Sequence, residues 1–203
     1  MINNNEHLEY FSLNQKISIK KIKQIIFNGK ILIFRDFPEI TQINNLTKKY
    51  FKKIFKKKVN DFLVSDENKN DCLEKSVIRL QKKIKSCEFI KKSFSNFLNN
   101  IHFDLEDTFC DKITLRYSPK KNASPAGFLK PIGPHRDTWA SNIFHQINWW
   151  FPIHNVDKDF SIYVVPYYFN KKIQNNSSDW SFEIYKRNED FLSSPISKIK
   201  FDE

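Results

Sequence analysis

Residues 133–156 read GPHRDTWASNIFHQINWWFPIHNV, and the fold turns on how this stretch is read. Its first part is Gly133-Pro134-His135-Arg136-Asp137-Thr138-Trp139. On a strand, residues i and i+2 share a face, so His135 and Asp137 are expected to aim together into a barrel, with Arg136 pointing away. A neutral imidazole and a carboxylate on one face are two corners of a facial triad for non-haem Fe(II). A His from elsewhere in the fold would be the third. Three protein ligands on one face of an octahedron leave the opposite face open for a bidentate 2-oxoacid and for O2, and the carboxylate offsets the metal's charge. Taken alone, a His-x-Asp triplet is a weak signal, and a surface His beside an Asp is its commoner meaning.

The residues around this stretch alternate. Residues 112–118 (KITLRYS) read as a strand that Pro119 ends, because proline cannot donate to a ladder. A loop is expected over 119–130, then strands over 131–139, 145–153 and 161–168, with polar turns at 155–159 and 175–179 (NNSSD). Residues 188–203 are polar and carry no clear element.

Upstream of about residue 105 the pattern is helical and Lys-rich. Residues 17–27 predict a short amphipathic helix closed by Asn28-Gly29, and residues 30–34 (KILIF) a buried strand, with Pro38 ending the segment. From Thr41, the apolar residues Ile43, Leu46, Tyr50 and Ile54 fall at helical spacing. From Asp71, Leu73, Val77, Leu80, Ile84 and Cys87 do the same, continuing loosely to Phe94 and Leu98; a short coiled coil is the alternative there. These patterns predict one α+β domain over residues 1–203. Its helical part, 1–105, would cover the strands of 106–203.

The chain of 203 residues is 40% hydrophobic and 15% aromatic, enough for a sizeable core. The net charge of +11 comes mostly from Lys in a chain also crowded with Asn and Ile. These three residues rise together in AT-rich genomes, so the charge reads as compositional drift and not as a nucleic-acid or membrane footprint. Cys72, Cys87 and Cys110 are odd in number and lack CxxC spacing, which argues against a disulfide framework or a structural zinc site and fits a reducing cytoplasm. The N-terminus has no apolar signal region and no run is long enough to span a bilayer, so a soluble protein is expected.

The stretch over 134–139, Gln146 with Asn148-Trp149-Trp150 and Pro152, then residues 166–169 (PYYF) and 175–178 (NNSS), resembles a bacterial branch of the phytanoyl-CoA dioxygenase family. The resemblance is strong over about 113–180; upstream, only the segment KILIFRDFP, residues 30–38, looks like the family's opening strand. It implies a double-stranded β-helix, or jelly roll, here partial. It also implies an Fe(II) cofactor, 2-oxoglutarate as cosubstrate, and oxidation of a C–H bond of a small-molecule substrate by O2. His135 and Asp137 carry over as iron ligands. Related halogenases have a small residue where Asp137 stands, so the carboxylate favours hydroxylation.

The family also needs a distal His and an Arg beyond it to anchor 2-oxoglutarate. No His follows His154, and the one Arg after Arg136, Arg187, lies in no version of the distal motif, so neither role is assigned. The chain is therefore expected either to stop short of the complete fold or to be a non-catalytic remnant of it. His145, at the start of the next strand, could approach the metal but reads as a packing or edge residue, and His154 as solvent-exposed.

Gln146, Asn148 and Trp150 alternate onto one strand face, where the two amides are candidates to bind 2-oxoglutarate or substrate; core packing is the competing role for the tryptophan. Thr138 and Trp139 follow the ligands and are candidates to shape a pocket entrance, and Arg116 reads as a surface residue. Residues 48–58 (KKYFKKIFKKK) are the rival signal: on a helix they give a basic face beside aromatics, suited to anionic membrane or nucleic acid, or to simple solvation.

Overall fold

The structure is a computed structural model, which describes residues 7–13, 15–64, 71–111, 113–116, 135–138, 143–156 and 161–173. The chain divides into two compact units. The first comprises Met1–Ser65, Lys75–Leu115 and Phe151–Lys171; the second comprises Asp66–Glu74, Arg116–Trp150 and Lys172–Glu203.

The first unit opens with a strand, β1 (Leu8–Ser12), a helix, α1 (Ile19–Phe27), and a second strand, β2 (Ile31–Arg35). The two strands pair in parallel, in the register Leu8↔Ile31 to Ser12↔Arg35. Parallel neighbours need a crossover connection, and α1 provides it. Ser18 starts this helix by accepting the Lys21 N–H at 3.2 Å. Gly29 ends the turn after it with φ of 82°, a conformation that only glycine adopts without strain. A β-carbon at Gly29 would also lie 3.0 Å from the Phe169 ring, tighter than ordinary van der Waals contact, so that ring would have to shift to admit it. The helix and second strand fall where their patterns placed them; β1 was not anticipated.

Four more helices follow: α2 (Pro38–Phe55), α3 (Val59–Val64), α4 (Asp71–Lys85) and α5 (Glu88–Asn100). Helix α2 begins with Pro38 in its first turn, where a missing N–H costs nothing, so it starts a few residues before Thr41. Lys56 stops it in the left-handed conformation, φ 58°.

The long pattern from Asp71 divides into two helices, and the buried residues give the reason. Leu73, Val77, Leu80 and Ile84 step by four and three, as do Ile90, Phe94 and Phe97. The six-residue step from Ile84 to Ile90 matches no helical neighbour spacing, so one straight helix cannot bury both sets. The chain breaks at Ser86–Cys87 and restarts in a new phase.

The core is aliphatic and aromatic. Phe97 is 2% exposed, and its ring packs edge-on against Phe34 and Phe37, with centroids 5.8 and 5.1 Å away, locking α5 to the sheet and to the start of α2. Helices α2 and α5 also pack together. A second cluster joins α2 to α3, with Phe51 stacked on Phe55 at 4.2 Å and both meeting Phe62 edge-on.

Later residues of this unit are held by a few contacts. The Asn44 Nδ2 on α2 donates to the Pro152 carbonyl at 2.9 Å, and Gln81 Nε2 on α4 to the Leu115 carbonyl at 3.4 Å. A short 3-10 turn spans Pro166–Tyr168.

The double-stranded β-helix is not among the described elements. Of the residues expected as strands, 113–116, 135–138, 145–153 and 161–165 are described, and none of them is paired in a ladder. Residues 166–168, expected at a strand end, form the 3-10 turn. The remainder of those strands, the loop 119–130, the turn 175–179, the tail 188–203, Trp139 and Arg187 lie outside the described residues. Cys87 and Cys110 are free thiols. Among the described residues, no helix is long and apolar enough to cross a membrane.

Candidate metal-binding cluster

His135 and Asp137, which sequence placed on one face, do meet. Nε2 of His135 lies 3.1 Å from Oδ1 of Asp137. The local geometry differs from the expectation, because Asp137 sits in a turn and not in a paired strand. A turn brings side chains two residues apart together as effectively as a strand face does.

Two residues from further along the chain join them. Asn148 Nδ2 donates to Oδ2 of Asp137, and Gln146 Nε2 donates to Oδ1 of Asn148 at 2.6 Å. The result is a relay of four side chains, Gln146 to Asn148 to Asp137 to His135, all within the second unit. The alternation that put Gln146 and Asn148 on one face is consistent with this contact. Trp150, expected on the same face, is 46% exposed and takes no part in these hydrogen bonds.

The electrostatics favour a charged carboxylate. The His135 imidazole beside it holds the Asp137 carboxyl below its ordinary range. Partial burial opposes this, while the Asn148 amide and the Arg116 charge add to it. Arg116 is exposed, as sequence suggested, and its charge also reaches the Asp137 carboxyl; no local pattern marked that role, since the two residues are far apart in the chain.

Two groups bound in adjacent positions about 2.1 Å from an ion lie about 3 Å apart. The 3.1 Å between His135 Nε2 and Asp137 Oδ1 fits that spacing. Their side chains are 27% and 51% exposed, so an ion can reach both. His135 and Asp137 are thus spaced as two adjacent ligands would be. Among the described residues, no group of three or more His, Cys, Asp and Glu side chains is placed to hold a metal. The fit is to two candidate ligands, His135 and Asp137.

His145 is exposed in the second unit. His154 belongs to the first unit and is half-buried, with Nδ1 2.7 Å from the Asn155 carbonyl oxygen. It lines an open cleft of about 440 Å³ with Asn44, Lys48 and residues 152–156, where sequence had placed it in solvent. Thr138 is half-buried next to Asp137.

Compared with protein-family models, curated proteins and solved structures, the chain matches none.

Proposed function

We propose that this chain is a cytoplasmic protein of the Fe(II)- and 2-oxoglutarate-dependent oxygenase type, related to phytanoyl-CoA dioxygenases, with His135 and Asp137 as metal ligands. The observation that supports this reading is the 3.1 Å approach of His135 Nε2 to Asp137 Oδ1. It is strengthened by the supporting amides, since groups that hydrogen-bond a ligating carboxylate orient it and tune its basicity. Bound iron would supply activation of O2 for oxidation of a C–H bond, hydroxylation being favoured by the carboxylate at Asp137. The protein's own side chains do the rest. Asn148 fixes the Asp137 carboxylate, Gln146 fixes Asn148, and exposed Trp150 offers an aromatic surface to a small-molecule substrate. The fold that goes with this reading is helices packed on a partial double-stranded β-helix.

The test is an anaerobic titration of the full chain with Fe(II) and 2-oxoglutarate, following the visible charge-transfer band of the chelate. A band is expected in the wild type and none in His135→Ala. Asn148→Ala is expected to weaken iron binding roughly 10- to 100-fold. A folded wild-type chain that gives no band overturns the proposal.

One observation favours a second reading. Among the described residues, no third His, Cys, Asp or Glu joins His135 and Asp137, which suits a binding module of the same fold without turnover. A normal band with no release of succinate would establish it.

A further inference from the structure

Two acid-free stretches of the first unit meet in space. Helix α2 exposes Lys48, Lys49, Lys52 and Lys53, and exposed Lys56 and Lys58 continue past its end. Helix α4 exposes Lys75, Arg79, Lys82 and Lys83. The chain has 23 Asp and Glu, yet none falls between Glu39 and Asp61 or between Glu74 and Glu88. The fold joins the two runs at Tyr50. Its hydroxyl lies 3.5 Å from the Cys87 sulfur, and Lys83 Nζ sits 5.5 Å from its ring centroid. Lys53 is one turn along α2 from that same tyrosine, so lysines of both helices border it.

Composition explains how many lysines the chain holds. It does not explain why acids are absent from two segments, remote in sequence, that meet at Tyr50. Helix dipoles explain part of it, because cations are favoured in a last turn, where Lys52, Lys53, Lys82 and Lys83 lie. That effect falls off within one turn and does not reach Lys48, Lys49, Lys75 or Arg79. Among the described residues, no carboxylate is ion-paired with any of these side chains.

The aromatics of the same segment decide the kind of partner. Phe51, Phe55 and Phe62 are packed on one another, and Phe51 is 9% exposed. Tyr50 is half-buried beneath Lys83. Ile54 and Phe55 are half-buried too, so the segment presents no exposed ring or apolar face, and its cations are what a bilayer or an unpaired base would meet first. What it presents is rows of cations about 6 Å apart along the helix axis, one helical step of four residues. We propose that this surface, Lys48, Lys49, Lys52 and Lys53 with Arg79, Lys82 and Lys83, docks double-stranded nucleic acid through its phosphates without reading base sequence. It is independent of the His135–Asp137 cluster.

The test is fluorescence anisotropy of the full chain with a short labelled DNA duplex of mixed sequence, over a series of salt concentrations. Binding is expected to weaken log-linearly with salt. In a variant carrying Lys49→Gln, Lys52→Gln, Lys53→Gln and Lys83→Gln, the slope should fall by about 3 to 4, at about 0.9 for each phosphate no longer neutralised. The same four positions changed to Arg should retain the wild-type slope, which separates loss of charge from loss of fold. A control with Lys16, Lys20, Lys23 and Lys92 changed to Gln loses equal net charge and should bind like wild type. The proposal is overturned if this control loses as much affinity as the first variant, or if the first variant binds normally. It is overturned equally if single strands or phosphatidylserine vesicles bind more tightly than the duplex at the same salt.

Discussion

The helical region over residues 19–100 and the cluster over residues 135–150 are built on different physics. In the first, side chains such as Ile22, Ile43, Leu80, Ile90 and Phe97 are almost wholly withdrawn from water, and apolar spacing sets each helix's phase. In the second, exposed or half-exposed polar groups meet through side-chain hydrogen bonds, and Trp150 stays 46% exposed. A core of the first kind is non-directional, so stability follows buried area. A cluster of the second kind adds little stability but holds specific atoms at specific distances, which is what ligand binding requires. Buried apolar packing is concentrated in the helices, and hydrogen-bonded polar side chains in the cluster.

The strongest way to break this comparison is at Phe97. Phe97→Ala removes a ring that is 2% exposed and touches Phe34 and Phe37, and is expected to destabilise the fold by about 3–5 kcal/mol, read by urea unfolding. Asp137→Asn, measured beside it, should leave the helical unfolding midpoint nearly unchanged. An equal loss from both would mean that the cluster carries the fold.

A smaller effect tests the backbone. Gly29→Ala puts a β-carbon 3.0 Å from the Phe169 ring at a φ of 82°, and the left-handed conformation alone should cost about 1–2 kcal/mol. Phe169→Ala in the same chain should relieve the clash but not the conformational cost. Complete rescue would show that Gly29 is selected only for space.

The smallest effect sharpens the electrostatic side. Lys30 hydrogen-bonds Glu9 at 2.7 Å, and this bond with the lysine's charge holds the Glu9 carboxyl below its ordinary value of 4.5. A depressed folded value means that the contribution is present above the ordinary value and fades as pH falls through the depressed one. Carboxyl chemical shifts should therefore show Glu9 titrating lower in the wild type than in Lys30→Gln. An unchanged midpoint would show the pair to be fully screened, as many exposed pairs are.

How legible the molecule was depended on how local each feature is. The α1 helix and β2 strand, with the Asn28-Gly29 stop between them, were readable because spacing and capping act within a few residues. The break at Cys87 was less visible because Cys87 itself continues the apolar rhythm from Ile84, and the change of phase appears only once Ile90 is known to be buried. Strand β1 was missed because residues 8–12 (LEYFS) lack clear alternation, and its partner lies beyond a helix. The convergence of His135 with Asp137 was readable from their spacing, and the shared face of Gln146 and Asn148 from theirs, but their bond to each other was not. That Asn148 reaches Asp137, and that Arg116 acts on the same carboxylate, was not.

By itself, then, the sequence determined that residues before about 105 are mainly helical and where the first helix stops, since these depend on backbone propensity and short-range periodicity. Alternation over 145–153 and 161–165 could propose strands but not pair them, because ladder hydrogen bonds come from a neighbouring chain segment in space. Tertiary structure alone decided that a Phe cluster closes α5 onto a parallel pair, that Phe169 seals Gly29, and that two lysine-rich helices share Tyr50. Each of these depends on contacts between residues far apart in the chain, and no local pattern encodes which distant partner a side chain will find.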